Sequence, residues 1–169
     1  MNLTNLERIH LNGLLEEYKR NPKVQEMKRY IQHGSISTYE HCVSVTRVSY
    51  WLNKRLHLGA DEKTLVTGAF LHDFYLYDPK TGGQPIKGNH IEIHPIVALA
   101  NAEKYYEVDE VMKDCILHHM WPMNNIRPVT KEGMIVQAAD KYCASLEWSI
   151  YNIRRIKPVI REAYNRLIH

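Results

Sequence analysis

Apolar positions recur along this chain at helical spacing, and no stretch alternates with the period of a strand. Residues 2–20 predict a first helix, punctuated by Pro22, and residues 23–32 a short second one that stops near Gly34. Ser37 followed by Glu40 is a capping box and opens a helix to about residue 57. Gly59 ends that helix, and Asp61 caps a fourth that carries the apolar run AFLHDFYLY to about residue 77. Pro95 fits the first turn of a helix running to about residue 106. Asp109 caps another, ending near Trp121-Pro122. Thr130 caps a helix to about residue 148, and a last basic helix spans 150–168 with a kink expected at Pro158. Two loops remain, 78–89 and 123–129. The first holds two prolines and three glycines and is long enough to be functional. The expected class is all-α, a single domain over residues 1–169.

Histidines and aspartates interrupt the apolar faces of these helices. His41 shares a stripe with Val45, Val48 and Leu52; His72 with Leu65 and Ala69; Asp73 with Val66 and Phe70. His118 aligns with Val111 and Cys115, His119 with Met112 and Ile116, and Asp140 with Val136, Ala139 and Cys143. A single core histidine is satisfied by a backbone hydrogen bond, and a single core aspartate by a cap or an ion pair. Two aspartates and several histidines, with no Lys or Arg on the same faces, need a shared counter-charge. A bound cation supplies one. Adjacent helical residues diverge by about 100°, so His72 and Asp73 serve one site only if the carboxylate reaches across.

Composition narrows the classes. The 169 residues are 44% hydrophobic and 24% charged, an ordinary balance for a folded domain. A net charge of +3 is too small to argue for nucleic acid or a membrane surface. The start, MNLTNLERIHLNG, has no apolar signal core, so the cytosol is the expected compartment. Cys42, Cys115 and Cys143 form no CxxC pair, which argues against a disulfide framework or a thiolate metal site. A nitrogen and oxygen donor set suits Fe, Mn, Co, Ni or Zn.

The order His41, then His72-Asp73, then Asp140, flanked by AFLHDF and AADKY, resembles the H…HD…D signature of the HD-domain superfamily of helical metal-dependent phosphohydrolases. The likeness covers about residues 35–148. With His94, His118 and His119 the order becomes H…HD…H…HH…D. That resembles the dinuclear branch, which includes HD-GYP phosphodiesterases and HD-type diadenosine tetraphosphate hydrolases. The Trp121-Pro122 segment and LHDFYLYD are similar to a group of small bacterial HD hydrolases. The resemblance implies that His41, His72, Asp73 and Asp140 hold a first metal. It also implies that Asp73 bridges to a second, completed by His94, His118 and His119. His90 is a nearby alternative to His94, and some dinuclear members use one histidine of the pair. HD-GYP proteins carry HDxGK, whereas Phe74-Tyr75-Leu76-Tyr77 follows Asp73 here, and the GYP segment is absent as well. Cyclic di-GMP is therefore a poor candidate.

Two divalent ions, iron first among the candidates, would make a bridging hydroxide the nucleophile, with Asp73 the central catalytic carboxylate. The expected substrate is a nucleotide or small phosphate ester, and a homo-oligomer stays open. Lys80, Lys87 and Arg127, on the loops flanking His94 and following His119, are the candidate phosphate contacts. Lys141 follows Asp140, but helical projection turns it from the ligand face. Two other classes compete: a mixed-valent di-iron oxygenase, since myo-inositol oxygenase and a phosphonate-cleaving oxygenase use a similar ligand order, and a metal-stabilised binding module without turnover.

Overall fold

A computed structural model describes the backbone of residues 2–81 and 83–168, and side chains as far as 158. Its elements are α1 (Asn5–Arg20), α2 (Pro22–Glu26) with a 3-10 turn Met27–Arg29, β1 (Ile31–His33), β2 (Ile36–Ser37), α3 (Thr38–Arg55), α4 (Glu62–Leu71), α5 (His90–Tyr105), α6 (Glu110–Leu117) and α7 (Lys131–Ile168). The class is all-α, as expected. Local chemistry starts most of these helices. Thr4 with Glu7, and Ser37 with Glu40, close reciprocal capping boxes. The Asp61 and Asp109 carboxylates accept the Thr64 and Met112 N–H groups. Each such cap is worth about 1 kcal/mol.

Several boundaries differ from expectation, among them the end of α6, which falls at Leu117 rather than near Trp121-Pro122. Residues 31–37 form a two-stranded antiparallel hairpin rather than the end of a helix, pairing Ile31 with Ser37 and His33 with Ile36. Strands of three and two residues are too short to show alternation. Gly34 turns the hairpin at φ 62°, and a Cβ there would lie 2.6 Å from the Tyr151 ring, so only glycine lets α7 close on the turn. Helix α4 ends at Leu71; His72 and Asp73 form a turn, and irregular backbone follows to residue 77, with Leu76 at φ 55°. Phe74, Tyr75 and Tyr77 are nevertheless buried, and an all-buried apolar run has no periodicity with which to mark the end. Helix α5 begins at His90, capped by Asn89, which places Pro95 inside it. Helix α7 is continuous across the break expected at residue 149 and runs on past Pro158. The Ser145, Ser149 and Asn152 side chains donate to carbonyls one turn back instead of ending it.

Helix α3 packs against α4 and α7, and α6 closes the other side of both. One apolar cluster joins α1, α4, α5 and the turn after α4; the other joins α3, α4, α6 and α7. Helices α4 and α6 approach closely at Gly68, where a Cβ would fall 2.8 Å from Cys115 Cβ. That approach brings the C-terminal ends of α4 and α6 together, and the two histidine-bearing turns leave from those ends. Among the described residues no helix is long and apolar enough to cross a membrane.

Candidate metal centre

Three histidines are aimed by the backbone. His72 Nδ1–H donates to the Ala69 carbonyl at 2.8 Å, His94 Nδ1–H to that of His90 at 2.7 Å, and His119 Nδ1–H to that of Ile116 at 2.8 Å. A carbonyl only accepts, so each Nδ1 carries the proton and each Nε2 faces the interior. His41, on α3, is aimed by a side chain instead: its Nδ1 lies 2.9 Å from Glu147 of α7. Its Nε2 lies 3.0 Å from Asp140 Oδ1. All four rings are buried.

Asp73 sits between two groups of these nitrogens. Its Oδ2 lies 3.3 Å from His72 Nε2 and 3.9 Å from His41 Nε2, with Asp140 Oδ1 3.8 Å from His72 Nε2. Its Oδ1 lies 3.2 Å from His94 Nε2 and 3.5 Å from His119 Nε2, and those two nitrogens are 3.0 Å apart. The tight turn after α4 makes this possible, because Asp73 has left the helix that would have swung it away from His72. Gln32 of the hairpin donates to Asp73 Oδ2 at 2.7 Å, and its own amide oxygen accepts from the Tyr75 hydroxyl.

The electrostatics describe a site that needs cations. Burial opposes charge on Asp73, yet the His72 and His94 rings beside it hold its carboxyl well below the usual range. Asp140 is likewise held low against its burial, by His41 and His72. Burial also opposes a proton on His41, but hydrogen bonds to Asp140 and Glu147 outweigh it and push the ring up to about 10. His72 is raised well above its ordinary value by Asp73, again against burial. His119 goes the other way, down to about 3, because it is buried and faces His72. Protons on His41 and His72 thus balance two carboxylates wherever no metal does.

The donor atoms fit metal ions. His72 Nε2 and Asp73 Oδ1 are buried without any hydrogen-bond partner. Such orphans are rare in folded interiors, and a cation held between these donors would fill both. Bonds of about 2.0–2.2 Å to one ion leave neighbouring donors about 3–3.5 Å apart, and these atoms lie 3.0–3.9 Å from one another. His41, His72 and Asp73 form one set able to hold an ion; Asp73, His94 and His119 form another. The profile of the HD-domain family matches residues 38–145, which include every one of these ligand candidates. The chain belongs to the HD-domain family. HD domains bind divalent metals and are generally hydrolases. No curated protein and no solved structure matches the chain.

The HD-domain cluster differs from the expected site in several members. His118 stands apart: α6 ends at Leu117, and the His118 ring turns back to Asp114, 2.6 Å from its Oδ1. His90 is also outside, with its Nδ1 2.8 Å from the Tyr77 hydroxyl and its ring stacked on His94. Lys80, Lys87 and Arg127 do not line the cavity over the cluster, and Arg127 lies over the exposed Trp121 ring instead. Lys141 does line it: its ammonium reaches back to Asp140 Oδ2 at 2.8 Å and to the His119 carbonyl at 3.0 Å. A four-carbon stem spans the turn that helical projection puts between them. Sequence reasoning also missed Gln32, His33 and Glu147. Glu147 was within reach, since it follows Asp140 by seven residues and so shares its face. Gln32 and His33 arrive on the hairpin, for which no local pattern spoke. A cavity of about 670 Å³ beside Tyr18 and Tyr106 includes none of the cluster.

Proposed function

We propose that this HD domain is a metal-dependent phosphohydrolase, a phosphomonoesterase or phosphodiesterase acting on a nucleotide or small phosphate ester. His41, His72, Asp73 and Asp140 hold one divalent ion; Asp73, His94 and His119 hold a second, with iron the preferred metal. One observation carries this reading: each oxygen of Asp73 faces its own pair of histidine Nε2 atoms. A carboxylate so placed is suited to being shared by two cations. Bound there, the metals supply an activated water and a clamp for phosphoryl oxygens. The chain's own residues keep the ligands ready. Carbonyl-held Nδ1 protons leave Nε2 free, and the Gln32 amide fixes the Asp73 carboxylate. The buried thiols of Cys42, Cys115 and Cys143 belong to neither ligand set.

Metal analysis of anaerobically purified protein, coupled to chromogenic phosphate mono- and diesters, tests the reading. About two ions per chain and hydrolysis without oxygen are expected. In the His94→Ala variant one ion should be lost; unchanged metal content there refutes the second site. Turnover that requires oxygen refutes the hydrolase assignment.

A further inference from the structure

The cavity above the cluster has its own composition. Its volume is about 240 Å³, below the roughly 300–1,000 Å³ of pockets that take drug-sized ligands. Of the proposed ligands, Asp73, His94, His119 and Asp140 line it, together with Gln32, His33 and His90. Ile91, Met120, Met123 and Ala144 supply an apolar wall, and Lys141 is the only Lys or Arg among the described lining residues. A polyphosphate or dinucleotide spreads several negative charges along its length, and charge-assisted contacts to them are the strong ones. One lysine beside a metal floor matches one terminal phosphoryl group.

Lys141 is held but not saturated. Its side chain is 28% exposed. Two of its three ammonium hydrogens are engaged by Asp140 Oδ2 at 2.8 Å and the His119 carbonyl at 3.0 Å. The third faces the Met120 thioether at 3.8 Å, a weak acceptor that a phosphoryl oxygen displaces. The two strong acceptors belong to Asp140 and His119, both in the proposed ligand set, so the ammonium is fixed at the edge of the cluster.

We infer that the substrate is a small phosphomonoester with a short apolar organic part, and that Lys141 binds its phosphoryl group while Met120, Met123 and Ile91 face the organic part. This rests on the phosphohydrolase reading. In the reaction, water adds to phosphorus and the bond from phosphorus to the alcohol oxygen breaks. The alcohol leaves with one of the water's protons, and inorganic phosphate is the other product. Lys141 touches substrate and product alike.

Calorimetric titration of the metal-loaded protein with inorganic phosphate tests the lysine, and a comparison of phenyl phosphate with AMP tests the pocket. Lys141→Met should keep its metal and bind phosphate about 10- to 100-fold more weakly, while Lys141→Arg stays within a few-fold of the native protein. The native protein should show a higher kcat/KM for phenyl phosphate than for AMP. Unchanged phosphate affinity in Lys141→Met overturns the lysine's role. Loss of metal in that variant overturns it too, because the lysine then serves Asp140. A preference for AMP overturns the size and polarity assignment. If the metal-loaded native protein turns over no ester at all, the phosphohydrolase reading has failed. That outcome differs from hydrolysis with a phosphate affinity indifferent to Lys141.

Discussion

Asp73 and Asp114 are both buried beside histidines, and their surroundings oppose each other. Asp114 accepts from the Val129 and Thr130 N–H groups, the Thr130 hydroxyl and His118, so both its oxygens are filled by donors. It ties the end of α6 to the start of α7. Asp73 has a single hydrogen-bond donor, the Gln32 amide, and its Oδ1 has none. Both carboxyls are held below their usual range, the first by hydroxyl, His118 and backbone donors and the second by histidine rings, in each case against burial. Burial and a neighbouring histidine therefore do not distinguish a metal ligand from a structural tie. Between these two carboxylates the difference is the unfilled oxygen of Asp73.

The widest separation between the two is expected from direct removal. Asp73→Ala should lose both ions and cut turnover by about a thousandfold or more, with the fold retained, read by metal analysis and circular dichroism. Asp114→Ala should do the reverse. It leaves N–H groups unfilled and costs about 3 kcal/mol in denaturant unfolding, while the folded protein keeps its metal. Equal metal loss in the two variants would break the comparison.

A smaller effect is expected one shell out from the cluster. Glu147→Gln keeps the side chain's size but weakens the hold on His41 Nδ1. Metal affinity should fall about 10- to 100-fold in a chelator competition, with stability little changed. The smallest effect is the response to pH. Asp114 is held low, so its contribution is present above about 3.9 and is lost as pH falls through its folded value. In metal-free protein His41 has the opposite sign. Its ring is raised to about 10, so its contribution is complete below about 6.5 and is lost as pH rises toward that value. Metal-free protein should melt lower at pH 9 than at pH 6.5, and added metal should remove that slope. A metal-independent slope in thermal melts would place the titration elsewhere.

Much of the site was legible because helix periodicity sorts faces well inside a helix. His41 and Asp140 lie in the interiors of α3 and α7, and both fall on the face the pattern assigned. The pattern weakens at helix ends. His118 and His119 lie just beyond Leu117, where 100° steps no longer apply, so spacing could not say which of the two turns inward. His72-Asp73 carried the same difficulty in a useful direction, since the turn removes the divergence an intact helix would impose. Gln32 and His33 depend on a hairpin closed by Gly34 and Tyr151, residues more than a hundred positions apart, and no local window reports such a contact. Lys141 was misplaced because projection describes Cβ directions and ignores the reach of a long flexible stem.

The carbonyls that aim His72, His94 and His119 bear on how this centre tolerates substitution. A backbone oxygen is present whatever side chain the residue carries, so Ala69, His90 and Ile116 can be replaced without removing the acceptor that fixes the neighbouring ring. His41 has no such insurance. Its alignment hangs on the Glu147 carboxylate, which a single codon change can delete. Sensitivity to mutation around the ligand shell is therefore lopsided: three of the four imidazoles are shielded by main chain, and the burden falls on one glutamate two helical turns beyond Asp140.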